Sequence, residues 1–188
     1  MKPFVVLFTI FADVVFADVG VHEMEIGKGL QKFSWGNCNK TIVPLAFRTL
    51  SLSPDPIQYG QKLVVTAELD VTQPVGTTNT LKADIIANLI EGQEKFDMCQ
   101  YKPELCHIAD LCYNISKIKI PCPKVVQKQG SDCKCPLKPN TYTATKIPIP
   151  IPSSSFQIQG TFEVTVNLSE QNKPVGCFTM GFCLGSCT

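Results

Sequence analysis

The chain has 188 residues, with Lys+Arg 17 against Asp+Glu 16 and a formal net charge of +1. That length suits one ordinary domain, and the near-zero charge excludes the basic footprint of a nucleic-acid binder. Apolar residues at 44% and charged ones at 18% exclude a disordered chain, and two histidines leave histidine-based catalysis short of parts.

Residues 1–17, MKPFVVLFTIFADVVFA, read as a secretory signal. Lys2 is the positive start, Phe4 to Phe16 the apolar stretch, and Val15 and Ala17 the small residues before cleavage. The apolar run is shorter than the ~20 residues that span a bilayer. Residues 18–32 carry charge and glycine without periodicity and form a loose lead, leaving 33–188 as a single domain.

From Phe33 onward the pattern is β. Ala46 to Leu52 alternates, and so does Leu63 to Val71, with Leu63, Val65, Ala67, Leu69 and Val71 on one face. Leu81 to Ile90 is a third strand. Near the C-terminus Phe162, Val164, Val166 and Leu168 share one side, and Phe178, Met180, Phe182 and Leu184 form another run. The polar SEQNKP between those two runs predicts a hairpin. In KIPIPIP, Lys146 to Pro152, alternate prolines remove every second amide donor, so the segment is an edge or a rim. There it either blunts the edge or holds Ile147, Ile149 and Ile151 at the mouth of a cavity. Pro103 to Asn114 predicts one short helix, with Pro in its first turn. The expected class is all-β: an antiparallel cup or sandwich with one disulfide-stapled helix.

The cysteines are at 38, 99, 106, 112, 122, 133, 135, 177, 183 and 187. An even number behind a signal peptide fits disulfides made in an oxidising lumen. No CxxC pair occurs and the spacings match no common zinc motif, so no metal is expected. Composition alone leaves roughly a thousand pairings open. Asn39, Asn114 and Asn167 begin glycosylation sequons.

Catalytic motifs are sparse. Cys106 to Cys112, CHIADLC, resembles the helix of secreted phospholipases A2, with His107 and Asp110 as the pair, but the upstream glycine-rich calcium loop is missing. There is no GxSxG elbow and no phosphate-cradling glycine loop, so neither an enzyme nor a cofactor is expected.

FSWGNC (Phe33 to Cys38), LSLSPDPI (Leu50 to Ile57) and LKADIIANLIEG (Leu81 to Gly92) occur in order along the chain. CPKVVQKQGSDCKCPLKPNTY (Cys122 to Tyr142) and GTFEVTVNLSEQNKPVGC (Gly160 to Cys177) follow. Together they resemble the ganglioside GM2 activator family from about Phe33 to Leu184, most specifically in the CxCP-(five)-Y unit. The resemblance implies a β-cup around an apolar cavity for lipid tails. Carried over by position, it implies the disulfides Cys38–Cys177, Cys99–Cys106, Cys112–Cys135 and Cys122–Cys133. Cys183 and Cys187 depart from the family pattern; a local fifth bridge is the expectation, and pairing to another chain the alternative.

Inward-facing Leu63, Val65, Ile85, Leu89, Phe162, Val164, Phe178 and Met180 are the expected cavity lining. The periodicity fits a solid core equally well, and only the resemblance favours a hollow. At the mouth, Phe156 lines up with one family tryptophan, and the other position falls at Glu94 to Phe96. The expected membrane-contact rim is Ile147, Ile149, Ile151, Phe156 and Phe96. The implied function is non-enzymatic: a glycosphingolipid or other membrane lipid is taken up and presented to a lysosomal hexosaminidase-type glycosidase. A secreted lipid or sterol carrier without an enzyme partner is the alternative. The implied location is the lysosomal lumen or the extracellular space. In an acidic lumen the protein becomes cationic and is drawn to anionic membrane surfaces.

Overall fold

The computed structural model describes residues 32–39, 41–78, 80–91, 94–101, 103–117, 122, 124–130, 132–153 and 158–187. The expected signal segment 1–17, nearly all of the 18–32 lead, and Phe156 lie outside the described residues.

Two antiparallel sheets make the body. The smaller has the order β2-β3-β7, from Leu45–Ser53, Lys62–Val71 and Asn140–Pro150. The larger runs β1-β9-β8-β4-β5, from Ser34–Asn37, Lys173–Leu184, Gly160–Glu170, Leu81–Glu91 and Glu94–Asp97. A two-residue strand β6, His107–Ile108, also pairs with β4. The β8–β9 hairpin turns on Gln171 and Asn172, both with positive φ (51° and 62°), the geometry that suits the right-handed twist of its strands.

The proline-rich segment is the outer half of β7, an edge strand. The Ile151 amide donates to the Gln61 carbonyl at 2.9 Å, and residues of the same parity face β3. Pro148 and Pro150 therefore sit where an amide would point away from the sheet, leaving that edge short of donors. Along the other half the Gln129 carboxamide completes the ladder. Its Oε1 accepts from the Thr143 amide at 2.7 Å and its Nε2 donates to the Thr143 carbonyl at 2.9 Å. Between the halves, Lys146 at φ 51° forms a bulge against the Val65–Ala67 stretch, its amide donating to Thr66 Oγ1.

The helix expected over Pro103–Asn114 is broken. Helix α1 spans only Pro103–Cys106 before the chain extends as β6, and α2 starts afresh at Leu111–Lys117. The reason is local: Asp110 Oδ1 accepts from the Tyr113 amide at 2.9 Å, capping a new helix, while Ala83 and Asp84 capture Ile108 and His107 in a ladder. Helix α3, Lys124–Gln127, follows.

Five disulfides are present: Cys38–Cys177, Cys99–Cys106, Cys112–Cys135, Cys122–Cys133 and Cys183–Cys187. The first links positions 139 apart, and on a loop-entropy argument it constrains the unfolded chain by about 4–5 kcal/mol. The next three hold the lobe formed by α1, α2, α3 and their connections.

The sheets are joined along both sides. On one side β2 approaches β9 and β1 to within 8 Å between Cα atoms. On the other, α1 and α2 pack on β4 while α3 packs on β7, so the stapled lobe spans from one sheet to the other. At one end residues 72–78 are tied down. Val75 and Leu137 exchange two backbone hydrogen bonds of 3.0 and 2.8 Å. Gly76 (φ 77°) passes so close to the Cys112–Cys135 bridge that a Cβ would stand 2.6 Å from Cys112 Sγ. Glu170 holds the loop by accepting from the amides of Gly76 and Thr78 and from both threonine hydroxyls, Thr77 and Thr78.

Candidate functional site

The space between the sheets is walled by rows of side chains that the registers set opposite one another. In the larger sheet the rows are Phe182–Phe162–Leu89, then Trp35–Met180–Val164–Ala87, then Phe178–Val166–Ile85. In the smaller they are Leu63–Ile149, Leu52–Val65–Ile147, Leu50–Ala67–Ala144 and Phe47–Leu69–Tyr142. Every member is apolar apart from the indole N–H of Trp35 and the Tyr142 hydroxyl, which donates to the Lys138 carbonyl. Burial of that phenol pushes its pKa up. Among the described residues, Thr161 is the one polar side chain in the fully buried set.

Of the expected lining residues, Leu63, Val65, Ile85, Phe162, Val164, Phe178 and Met180 are buried and Leu89 is half-buried. The registers bring all eight onto the two inner faces. Sequence reasoning named no alanine, yet Ala67 and Ala144 are direct cross-strand partners, both fully buried, and Ala83 and Ala87 stand on the facing wall. Small side chains thus stand on both inner faces. The seam side is filled instead, by edge-to-face contacts of Phe47 with Trp35 (6.2 Å) and with Phe178 (4.7 Å).

The expected rim is only partly displayed. Ile147 and Phe96 are half-buried, but Ile149 and Ile151 are each 5% exposed. The connection between β2 and β3 shuts them in, because Gly60 donates to the Ile151 carbonyl and Ile151 to Gln61. At the same end, Tyr59, Leu89, Ile147 and Ile158 are partly buried apolar groups packed on the core. The Tyr59 hydroxyl donates to the Ile158 carbonyl at 2.7 Å, and burial pushes its pKa up to about 12.

Among the described residues no charged side chain is buried. Arg48 pairs with Asp70 and Glu68 on the smaller sheet, and Lys95 pairs with Glu163 on the larger. The Asp70 carboxyl is held below its usual range, chiefly by the Thr141 hydroxyl donating at 2.6 Å. The His107–Asp110 pairing of the phospholipase-like reading is not formed. His107 Nδ1 lies 3.0 Å from Asp84 Oδ1 on an open surface, and Asp110 serves as the helix cap. Asn114 and Asn167 are exposed, while Asn39 is half-buried. Among the described residues no three His, Cys, Asp or Glu side chains are grouped to hold a metal. No helix among them is long and apolar enough to cross a membrane.

The family description of the ML domain matches residues 32–183. This chain belongs to the ML-domain family. Among curated ML-domain relatives, the ganglioside GM2 activator of Macaca fascicularis is 26% identical over 159 residues, covering 80% of this chain and 82% of that one. The GM2 activator of Mus musculus is 26% identical over 154 residues, covering 77% and 78%. A Niemann-Pick type C2 protein from the Japanese carpenter ant aligns over 80% of this chain and 98% of its own, at 13% identity and a TM-score of 0.43.

Proposed function

We propose that this ML domain is a non-enzymatic glycosphingolipid-binding and transfer protein. It lifts a lipid out of a membrane, holds the hydrocarbon between its sheets and presents the headgroup to a soluble lysosomal glycosidase of hexosaminidase type. The observation that carries this reading is the pair of apolar inner faces, with small side chains at Ala67, Ala144, Ala83 and Ala87. The GM2 activators among its relatives support the choice of lipid.

The physical task is extraction. A buried methylene is worth ~0.8 kcal/mol, so two long acyl chains resist transfer into water by more than about 20 kcal/mol. An apolar interior that touches the bilayer removes most of that cost. The half-buried Tyr59, Leu89, Phe96, Ile147 and Ile158 share the end at which such contact is made. The protein works in the secretory pathway, in the lysosomal lumen or outside the cell, after loss of residues 1–17, as a single domain over 33–188. Asn39, Asn114 and Asn167 are its glycan acceptors.

The test is transfer of labelled glycosphingolipid and labelled sterol between vesicles, with and without anionic lipid. Glycolipid transfer that strengthens below about pH 5 and weakens with salt is expected. Sterol transfer alone would favour a carrier without an enzyme partner, and transfer of neither would overturn the proposal.

A further inference from the structure

Beside the Ile158–Tyr59 contact lies a hollow of about 250 Å3 lined by Gln58, Tyr59, Gln159, Gly185 and Ser186. It is polar but carries no charged side chain, unlike the outer faces of the sheets. It also borders the interior through chain neighbours: Ile57 precedes Gln58, Ile158 precedes Gln159, and Leu184 precedes Gly185, with Ile57 and Leu184 buried in the core.

Backbone groups fix both carboxamides. The Gly185 carbonyl takes the Gln58 Nε2 donor at 3.1 Å, and Gln159 Oε1 accepts from the Ser186 amide at 3.3 Å and from the Ser186 hydroxyl. Gln58 therefore turns its oxygen away from that contact and Gln159 its NH2. Neither Gln58 Oε1 nor Gln159 Nε2 has a partner among the described residues. Two further features hold the wall in place. The Cys183–Cys187 bridge closes a small ring around Gly185 and Ser186. Gly185, at φ 74°, lies so close to Gln159 that a Cβ would stand 2.8 Å from its Cγ.

We infer that this hollow is a subsite for an uncharged sugar headgroup, a reading that rests on the lipid-transfer function proposed above. Among the described residues the Gln58 oxygen is left to accept and the Gln159 NH2 to donate, a mixture that suits sugar hydroxyls, which both give and accept. A phosphate is best met by a cationic side chain, and the lining residues include none. Its volume falls below the roughly 300 Å3 at which drug-sized sites begin, a size for one ring. A headgroup there leaves the lipid chains beside Ile57, Ile158 and Leu184, at the border of the interior.

The experiment measures binding of the full protein to lactosylceramide, ceramide and ceramide 1-phosphate, each in phosphatidylcholine vesicles. Lactosylceramide should bind about tenfold more tightly than ceramide, the value of one to two net hydrogen bonds. Q58A and Q159A should each erase most of that preference while leaving ceramide binding unchanged, which also reports an intact fold. If a glutamine variant loses ceramide binding as well, S186A, which removes the hydroxyl half of the contact that fixes the Gln159 carboxamide, takes its place. Equal binding of lactosylceramide and ceramide by the unaltered protein, a preference for the phosphate, or an undiminished preference in the variants would overturn the subsite. Binding of ceramide without sugar preference would leave the transfer function standing, whereas binding of none of the three would remove both.

Discussion

The carboxamide of Asn37 pairs with the backbone of Phe47 through two hydrogen bonds. Its Nδ2 donates to the Phe47 carbonyl at 2.8 Å, and its Oδ1 accepts from the Phe47 amide at 3.0 Å. The side chain thus acts as one residue of a strand, joining β1 of the larger sheet to β2 of the smaller beside the bulge between Phe47 and Thr49. The Cys38–Cys177 disulfide follows one residue later. N37A should lower unfolding free energy by about 1–2 kcal/mol in urea titrations. N37D should lose as much, because the carboxylate cannot donate to the Phe47 carbonyl. An N37D protein as stable as the parent would remove this pairing from the account of the seam.

The alanine rows give a direct test of hollow against solid. In a filled core, A67L or A87L would overpack and cost about 1–3 kcal/mol. With room between the sheets, each variant should keep its melting temperature and lose lipid extraction severalfold. Vesicle transfer and calorimetry on the same samples separate the outcomes, and destabilisation without loss of transfer would contradict the proposal.

Glu170 gives the tied-down end a pH dependence. Burial raises its pKa, but hydrogen bonds from Thr78 and Gly76, then from the threonine hydroxyls, outweigh that and hold the carboxyl below its usual range. A depressed folded value stabilises the protein above the ordinary carboxylate pKa of about 4.3, and the gain fades as pH falls through the folded value. E170Q should therefore cost about 1–2 kcal/mol near neutrality, allowing for solvent screening, and progressively less below pH 4. Thermal unfolding of both proteins across that range checks it. A stability gap that stays constant into strong acid would show that the charge of Glu170 plays no part.

The proline edge predicts association behaviour. Replacing Pro148 and Pro150 together with valine restores two outward amides on β7, and the double variant should self-associate in sedimentation experiments where the parent stays monodisperse. A monodisperse double variant would mean that Gln129 and the helix before it already protect the whole edge.

Much of this was legible in the sequence wherever one residue type repeats with a fixed period. Alternation over Leu63–Val71 marks the inner face of β3, and the KIPIPIP repeat marks an edge because proline removes donors whatever the surroundings. The helix expected over Pro103–Asn114 breaks because its apolar spacing hides Asp110, a capping residue that announces a restart. The facing of Ala67 and Ala144 was out of reach, since it depends on a bulge at Lys146 that no glycine or asparagine signals. The mouth hollow was equally hidden: Gln58, Gln159 and Ser186 are far apart in the chain and unremarkable in type.

Both flanks of the interior are fastened, one by Asn37 and the Cys38–Cys177 bond, the other by the sulfur-linked helices seated on β4 and β7. The sheets cannot part like a book without breaking one of these ties. On the function proposed above, a long, thin guest would travel lengthwise, parallel to the strands, and its last atoms in would be the first ones out.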